Sequence, residues 1–402
     1  MSGKNNFVFV VCGDEVHIKT LNYSLEYLRK FSKNKIVVVT DIDRNEVEIN
    51  HNNIINVKTP ESFNHHQASI YLKTGLYKYL DLSDNYCYLD SDVIALSPKV
   101  DEIFNYSYGP ITFAADHCKM NYFSPSAVNC GCSERNEKKQ KSFMETLAKI
   151  IPDYNHDILA NEKGRELRRV ISTISQNPLR NVRPSVIISF VKKVLNLRNA
   201  GVKWGKKFIY SKSKNGWIDL EGNVIMHNIT AFSKEIETSS NFSYSKKRKS
   251  WIDENGESVF SSSCEHLSEK IMRKFNIQIT RNDFQHWNGG VFLFNKKSVD
   301  FLETWLNLTM EIFKDEEWKT RDQGTLIATV WKFNLQHQKL LPKEFNFIAD
   351  YDDPEITYRD DIGFTTDNFK SVFYPNFIHI YHHYGNENWD VWRGVKKIFE
   401  KE

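Results

Sequence analysis

The stretch YCYLDSDVIAL, Tyr86–Leu96, decides the fold because it contains a contradiction. Tyr86, Tyr88, Val93, Ile94 and Leu96 have the aromatic and β-branched character of a buried strand, yet Asp90 and Asp92 interrupt the run. Two carboxylates in an apolar setting are costly unless a cation, a ligand or water at the strand end compensates them. In an extended chain, positions i and i+2 project to one face, so Asp90-Ser91-Asp92 is expected to aim both acids one way and the serine the other. Like charges so placed repel unless a cation sits between them. The ordinary alternative is a solvent-exposed strand end with capping aspartates. Aspartate oxygens joined by a histidine nitrogen suit Mn2+ or another divalent ion of the hard-to-borderline class, Mg2+ included.

The segments around this stretch alternate in type. Phe7–Val11 is an apolar strand followed by a turn-like GDE. His17–Phe31 spaces Ile18, Leu21, Leu25 and Leu28 as one apolar face of a helix. Lys35–Thr40 and Asn53–Val57 predict two further strands, and Gln67–Leu80 a helix with Ile70, Leu72, Leu76, Tyr77 and Leu80 among its apolar positions. Strands that alternate with helices, and that are continuously apolar, predict an α/β fold whose mostly parallel sheet is covered on both faces. The acids of Tyr86–Leu96 then lie at the carboxyl edge of that sheet, where ligands bind in open α/β folds.

Apolar strand character returns at Gly290–Phe294, followed by helices at Ser298–Phe313 and Asp322–Lys332 and a last strand at Ser371–Tyr381. The intervening region differs. It holds a charged helical stretch over ERNEKKQKSFMETLAKI, short strands at Trp217–Asp219 and Asn223–His227, and a helix at Cys264–Phe275. Residues 1–115 and 284–402 are therefore expected to form one domain, with 116–283 as an insertion.

Composition narrows the function. The chain has 402 residues, 40% of them hydrophobic and 13% aromatic, enough for one large domain with an insertion or for two domains. A net charge of +3 is too small to indicate a nucleic-acid binder. The apolar run FVFVV near the start is shorter than a secretory signal requires, and no stretch reaches the length of a membrane span, so a cytoplasmic location is expected. Of the six cysteines (Cys12, Cys87, Cys118, Cys130, Cys132 and Cys264), only those of the C-G-C pair are close. No second pair completes a zinc site of the usual spacing, and free thiols in a reducing compartment are the expectation. Arg165–Lys214 carries thirteen basic residues and one acidic residue. Within it VIISFVKKVLNL predicts a short amphipathic helix with Val191, Val194 and Leu195 inward. This stretch reads either as a solvated face or as a contact for an anionic acceptor or the inner membrane leaflet. Salt-sensitive sedimentation with anionic liposomes distinguishes the two. Its aromatic residues do not interleave with the charges as a nucleic-acid stacking platform would.

Three more elements carry chemistry. His379, His382 and His383 fall within five residues in IHIYHHYGNENWD, either folding onto a polar site or packing with Tyr381, Tyr384 and Trp389. In WNGGVFLF, Asn288 precedes two glycines that permit close backbone approach to a ligand or simply a tight turn. In TRDQGT, Asp322 and Gln323 open a helix, where an acid favours the N-terminus but could equally serve a site.

Taken in order, these residues resemble the nucleotide-sugar glycosyltransferases of the GT-A fold, in particular the retaining family of glycogenin and the bacterial lipopolysaccharide galactosyl- and glucosyltransferases. Tyr88-Leu89-Asp90-Ser91-Asp92 matches that family's Y-L-D-x-D, Asn288-Gly289-Gly290-Val291 its N-x-G-V, and Asp322-Gln323 its D-Q pair. His382-His383-Tyr384-Gly385 matches the start of H-x-x-G-x-x-K-P-W, and Trp389 its tryptophan after a one-residue deletion. Asn388 stands where the lysine and proline would be, so the family's phosphate-binding lysine has no counterpart there. Lys73, in IYLKTGL, falls where the family has a basic residue, usually arginine. The resemblance covers residues 5–115 and 284–390.

What it implies is a Rossmann-like GT-A domain with a large central insertion, acting on a nucleotide-sugar donor, UDP-linked in most of the family, and a carbohydrate or glycolipid acceptor. Asp90, Asp92 and His382 or His383 would hold Mn2+ or Mg2+. Val11, Cys12 and Asp14, with Asp90, Ser91, Asp92 and Gly385, would surround the nucleotide. Asn288, Asp322, Gln323 and Lys73 would orient the sugar and offset charge. Retention is the implied outcome, with Asp322 as general base in the inverting alternative. A nucleotide-sugar hydrolase, a nucleotidyltransferase and a catalytically silent sugar-nucleotide binder use the same residues and remain open at this point.

Overall fold

A computed structural model of the chain describes residues 3–151, 154, 163–164, 166–168, 170–171, 202–204, 207–350, 356–360, 363–366 and 371–401. The chain divides into two compact units. The first comprises Met1–Ser133, Ser263–Asp350 and Phe373–Glu402, and the second Glu134–Ser262 and Tyr351–Val372.

The first unit is built on strands β1 (Asn5–Val10), β2 (Lys35–Thr40), β3 (Ile54–Asn56), β4 (Asn85–Leu89), β6 (Ile111–Lys119) and β7 (Gln285–Phe294), with the short β5 (Val93–Ala95) standing outside this sheet. The order is β3-β2-β1-β4-β7-β6. β1 pairs in parallel with β2 and β4, and β2 with β3, whereas β7 runs antiparallel to both β4 and β6. Phe7, Val8 and Phe9 of β1 are all fully buried, as expected of a strand covered on both faces. Helix α1 (Glu15–Phe31) turns the predicted Ile18, Leu21, Leu25 and Leu28 inward. Helix α2 is shorter than its apolar pattern suggests. It runs over His65–Thr74, opened by a capping box between Asn64 and Gln67, and gives way at Gly75 to a single 3-10 turn, Leu76–Lys78.

The division falls at 133/134 and 262/263 rather than at 116 and 283. β6, helix α3 (Met120–Ala127) and helix α5 (His266–Phe275) belong to the first unit, because Met120, Phe123, Ala127, Leu267 and Ile271 share its main core with Phe113, Phe292 and Trp305. The second half of β6 is hidden in the sequence by Asp116, His117 and Lys119, which break its apolar pattern. Two further helices, α6 (Val299–Ile312) and α7 (Asp322–Lys332), complete the unit with the C-terminal α8 (Asp390–Lys401). A small sheet, β8-β9-β5, joins Phe347–Ile348 (β8) and Phe377–His379 (β9) to β5.

β7 also carries a buried titratable group. His286 is fully buried and stacks on Phe123, ring centroids 4.2 Å apart and planes 18° apart. Burial pushes its pKa from 6.5 to about 4, against the opposing pull of Asp116. The neutral ring suits the fold, so its contribution is complete above pH 6.5 and is lost as protons bind preferentially to the unfolded chain between 6.5 and 4. A loss of about 3 kcal/mol of unfolding free energy across that window is expected. Denaturant titrations at several pH values measure it, and His286→Leu should flatten the slope.

In the second unit, the helix α4 (Cys132–Ile150), which begins in the first, places Phe143 and Leu147 in a core with Ile236, Phe242, Trp251 and Val259. Lys139 forms an ion pair with Asp253 at 2.6 Å. Val202–Trp204, Phe208–Ser211, Gly216–Ile218 and Val224–His227 form an antiparallel sheet in chain order. The helix expected around Val191, Val194 and Leu195, and most of the basic stretch Arg165–Lys214, lie outside the described residues. Among the described residues no helix is long and apolar enough to cross a membrane.

Candidate active site

β4 ends at Leu89, and Asp90–Val93 is a turn rather than a continuing strand: the Asp90 carbonyl accepts from the Val93 N–H at 3.1 Å. The acids therefore converge by a turn, and not by the i, i+2 alternation of a strand. Three neighbours hold this turn. The Asp90 N–H donates to the Gly290 carbonyl at 2.8 Å, the Ser24 hydroxyl of α1 donates to the Ser91 carbonyl at 2.6 Å, and the Ile380 N–H donates to the Asp92 carbonyl at 3.1 Å.

β5 leaves the turn antiparallel to β9, in a register that sets His379 opposite Val93. That register carries the imidazole to the acids, with Nε2 at 3.3 Å from Asp92 Oδ1. Its Nδ1 lies 3.0 Å from Asn346 Oδ1, and the Asn346 amide donates to the Ala115 carbonyl at 3.3 Å. Donation from Nδ1–H to the asparagine oxygen leaves the Nε2 lone pair facing the carboxylates, the orientation a metal-ligating histidine takes. Ligand atoms of Asp90, Asp92 and His379 all lie within 4.8 Å of one another.

The histidine at this point is thus neither His382 nor His383. Both are exposed, in a turn where His383 and Gly385 adopt left-handed backbone with φ of 56° and 80°. The H-x-x-G spacing selects them, but strand pairing carries only His379 to the acids. His379→Ala is expected to weaken Mn2+ binding by at least ~10-fold, and His382→Ala or His383→Ala by less than ~2-fold. Isothermal titration calorimetry measures all three, and the reverse ranking would exclude His379.

A buried cation stands beside the pair. Lys73 of α2 reaches Asp322 Oδ2 at 2.9 Å and Asp90 Oδ1 at 3.3 Å, while the Tyr88 hydroxyl donates to Asp90 Oδ1 at 2.6 Å. Burial works against the charge on Lys73, but Asp322 and Asp90 outweigh it and hold the ammonium above its ordinary range. Burial pushes the Asp90 carboxyl up, partly relieved by Lys73 and reinforced by Asp92. For Asp92 burial also works upward, but His379 outweighs it and holds the carboxyl low. Lys73 pairs with Asp90 and Asp322 while Asp92 lies against His379, so with that imidazole neutral the three carboxylates exceed the one ammonium by two charges, which one divalent cation would balance. Two carboxylate oxygens and one imidazole nitrogen are a donor set that fits Mn2+ or Mg2+.

Asp322 occupies the first position of α7, where an acid suits the helix terminus, and its carboxylate also meets Lys73. The Asn288 amide donates to Asp116 Oδ2 at 2.9 Å, and its oxygen accepts from the Gly290 N–H at 2.9 Å. Of the two glycines, Gly290 leaves less room for a side chain. A Cβ on Gly290 would lie 2.6 Å from Asp90 Oδ2, and one on Gly289 would lie 3.3 Å from Lys73 Nζ and 3.8 Å from Gln323 Cγ. Asp90, Asp92, Lys73, Asn288, Asp322 and Gln323 are therefore gathered in one place.

The positions assigned to the nucleotide are more dispersed. Phe9 pairs with Leu89 at the end of β4, and Val11, two residues further on, donates its N–H to the Val39 carbonyl at 3.4 Å. Val11 and Cys12 are buried there, and the Ser69 hydroxyl donates to the Cys12 carbonyl at 3.3 Å. Asp14 is exposed and bound to His65 Nδ1 at 3.0 Å, in a group with Glu46. Among the described residues no hydrogen bond or ion pair joins Asp14 or Gly385 to the acids.

Two site residues went unread in the sequence. Asp116 interrupts the apolar run ITFAA as Asp90 interrupts its own, a signal that the same reasoning could have used. Asn346 carries no local signal; only its place beside β9 makes it the partner of His379.

No protein-family model matches the chain, and no curated protein matches it. Among solved structures the chain is similar to the apo form of the WbbM bifunctional glycosyltransferase, at 11% identity and a TM-score of 0.38, covering 100% of this chain and 52% of that one. It is similar also to apo mouse xyloside xylosyltransferase 1, at 8% identity and a TM-score of 0.36, covering 96% and 98% of the two chains. The chain thus spans about half the length of the WbbM chain. At these values the likeness carries no functional inference, which rests instead on the site residues.

Proposed function

We propose that this protein is a metal-dependent glycosyltransferase of the GT-A type, moving a sugar from a UDP-linked donor to a carbohydrate or glycolipid acceptor with retention. The observation that carries this reading is the convergence of Asp90, Asp92 and His379 at the carboxyl edge of the parallel strands, with the Lys73–Asp322 ion pair alongside. The ordered resemblance of the surrounding motifs supports the donor class.

Asp90, Asp92 and His379 would hold Mn2+ or Mg2+, which when bound stabilises charge developing on a diphosphate leaving group. Lys73 holds Asp90 and Asp322 in place and offsets their charge. Asp322, held beside that ammonium, would steady an oxocarbenium-like centre, as carboxylates do in glycosyl chemistry. Asn288, fixed by Asp116, presents a polar edge to the sugar, and Gln323 adds a second amide. The basic stretch Arg165–Lys214 makes an anionic acceptor or membrane leaflet part of the same proposal.

The test incubates the full chain with a panel of nucleotide sugars, Mn2+ and carbohydrate or glycolipid acceptors. Free nucleotide with a sugar-linked product is expected, and the anomeric proton coupling of that product reports retention. Nucleotide with free sugar alone would replace the reading by hydrolysis. Binding without turnover would replace it by a silent sugar-nucleotide protein.

A further inference from the structure

The sequence holds C-G-C at Cys130–Cys132 and C-E-H at Cys264–His266, pairs far apart in the chain and neither of the usual zinc spacing. The fold brings them together. The ligand atoms of Cys130, Cys132, Cys264 and His266 all lie within 4.8 Å of one another. We propose that these four residues form a structural zinc site, separate from the acids of the active site.

The separations suit that ion. Tetrahedral zinc, with Zn–S of about 2.3 Å and Zn–N of about 2.0 Å, sets sulfur–sulfur edges of about 3.8 Å and sulfur–nitrogen edges of about 3.5 Å. Cys130 Sγ and Cys264 Sγ are 3.9 Å apart, and Cys132 Sγ and His266 Nδ1 are 3.6 Å apart. Gly131, between the first two cysteines, has a φ of +70°, which lets the chain turn both sulfurs towards one centre. None of the six cysteines is in a disulfide.

Hydrogen-bond donors are aimed at the Cys264 sulfur. The Leu267 N–H donates to the Ser124 oxygen at 3.0 Å, which leaves the Ser124 hydroxyl proton for Cys264 Sγ, also at 3.0 Å. The His266 backbone N–H adds a second donor to the same sulfur. Hydrogen bonds of this kind orient a metal ligand. Three thiolates and an imidazole are a soft, complete donor set that selects zinc over Mn2+ or Mg2+ and leaves no open position for substrate.

Its place in the chain gives the site a purpose. Cys130 and Cys132 precede the departure of the chain from the first unit at Ser133, and Cys264 and His266 follow its return at Ser263. A metal held by all four ties the outgoing and incoming segments together on the first unit. Spacing alone does not reveal this cluster, because it counts residues along the chain while the fold closes a long excursion.

Elemental analysis of the full chain, dialysed against metal-free buffer, should find about one zinc per chain, and Asp92→Asn should keep it. The variant carrying Cys132→Ser and Cys264→Ser should hold less than about a tenth of that zinc. Wild-type protein refolded with Co2+ should show the absorption of tetrahedral cobalt–thiolate, a readout that stands even if the double variant fails to fold. Wild-type protein without zinc and without that cobalt spectrum would overturn the proposal. So would full zinc in a folded double variant, or a Cys130–Cys264 disulfide found by mass spectrometry of protein isolated under reducing conditions.

Discussion

Asp92→Asn is expected to lower Mn2+-dependent sugar transfer by at least about a hundredfold while leaving the fold intact. The amide has the shape of the carboxylate but neither its charge nor its affinity for a hard cation. The backbone contact from Ile380 to the Asp92 carbonyl is untouched, and the new NH2 group can donate to His379 Nε2 where the carboxylate now sits at 3.3 Å. Without metal the substitution removes both the repulsion that helps push Asp90 up and the attraction to His379, so the two changes oppose and unfolding stability should stay within about 1 kcal/mol of the parent. Transfer rates across a Mn2+ titration, beside denaturant unfolding, measure both quantities. Undiminished transfer would remove the metal from the proposed chemistry.

Lys73→Met should act in the opposite way, on stability first. Lys73 is 8% exposed and is the ammonium that Asp90 and Asp322 share. A methionine fills the space of the aliphatic stem but leaves two buried carboxylates uncompensated. Removing one partner of a buried ion pair costs about 3–5 kcal/mol. Addition of Mn2+ should restore part of that loss, because a bound dication neutralises Asp90 and Asp92 and stabilises only the folded state. Denaturant unfolding with and without Mn2+ gives both numbers. Equal stability of the variant and the parent would show that the ammonium is not what compensates the acids.

The parts of the site that were legible in the sequence share one property: each sits next to a pattern that is local. Asp90 and Asp92 stand out because they break an apolar strand, Asn288 because it precedes two glycines, and Asp322 because it opens a helix. Lys73 was legible only through the resemblance. The turn at Asp90–Val93 was not, because a strand end and a tight turn carry the same residues, and only the hydrogen bond from Val93 back to Asp90 separates them.

The choice among His379, His382 and His383 shows where local reasoning stops. All three are near Gly385, and a motif spacing prefers the later two. The antiparallel register of β9 on β5 selects the first, since strand pairing sets which side chain stands beside Asp92 and spacing along the chain does not. Asn346 and the Cys130–Cys132 and Cys264–His266 pairs depend on the same kind of long-range contact.

By itself, then, the sequence determined the alternating strands and helices, the parallel character of the central sheet and the presence of costly acids at its edge. These follow from apolar periodicity and from the desolvation of charge, which act over a few residues. Tertiary structure alone decided which histidine joins those acids, which asparagine orients it, and that four distant thiol and imidazole groups meet. Those outcomes depend on strand register and on the closure of a long chain excursion, and neither leaves a mark on neighbouring residues.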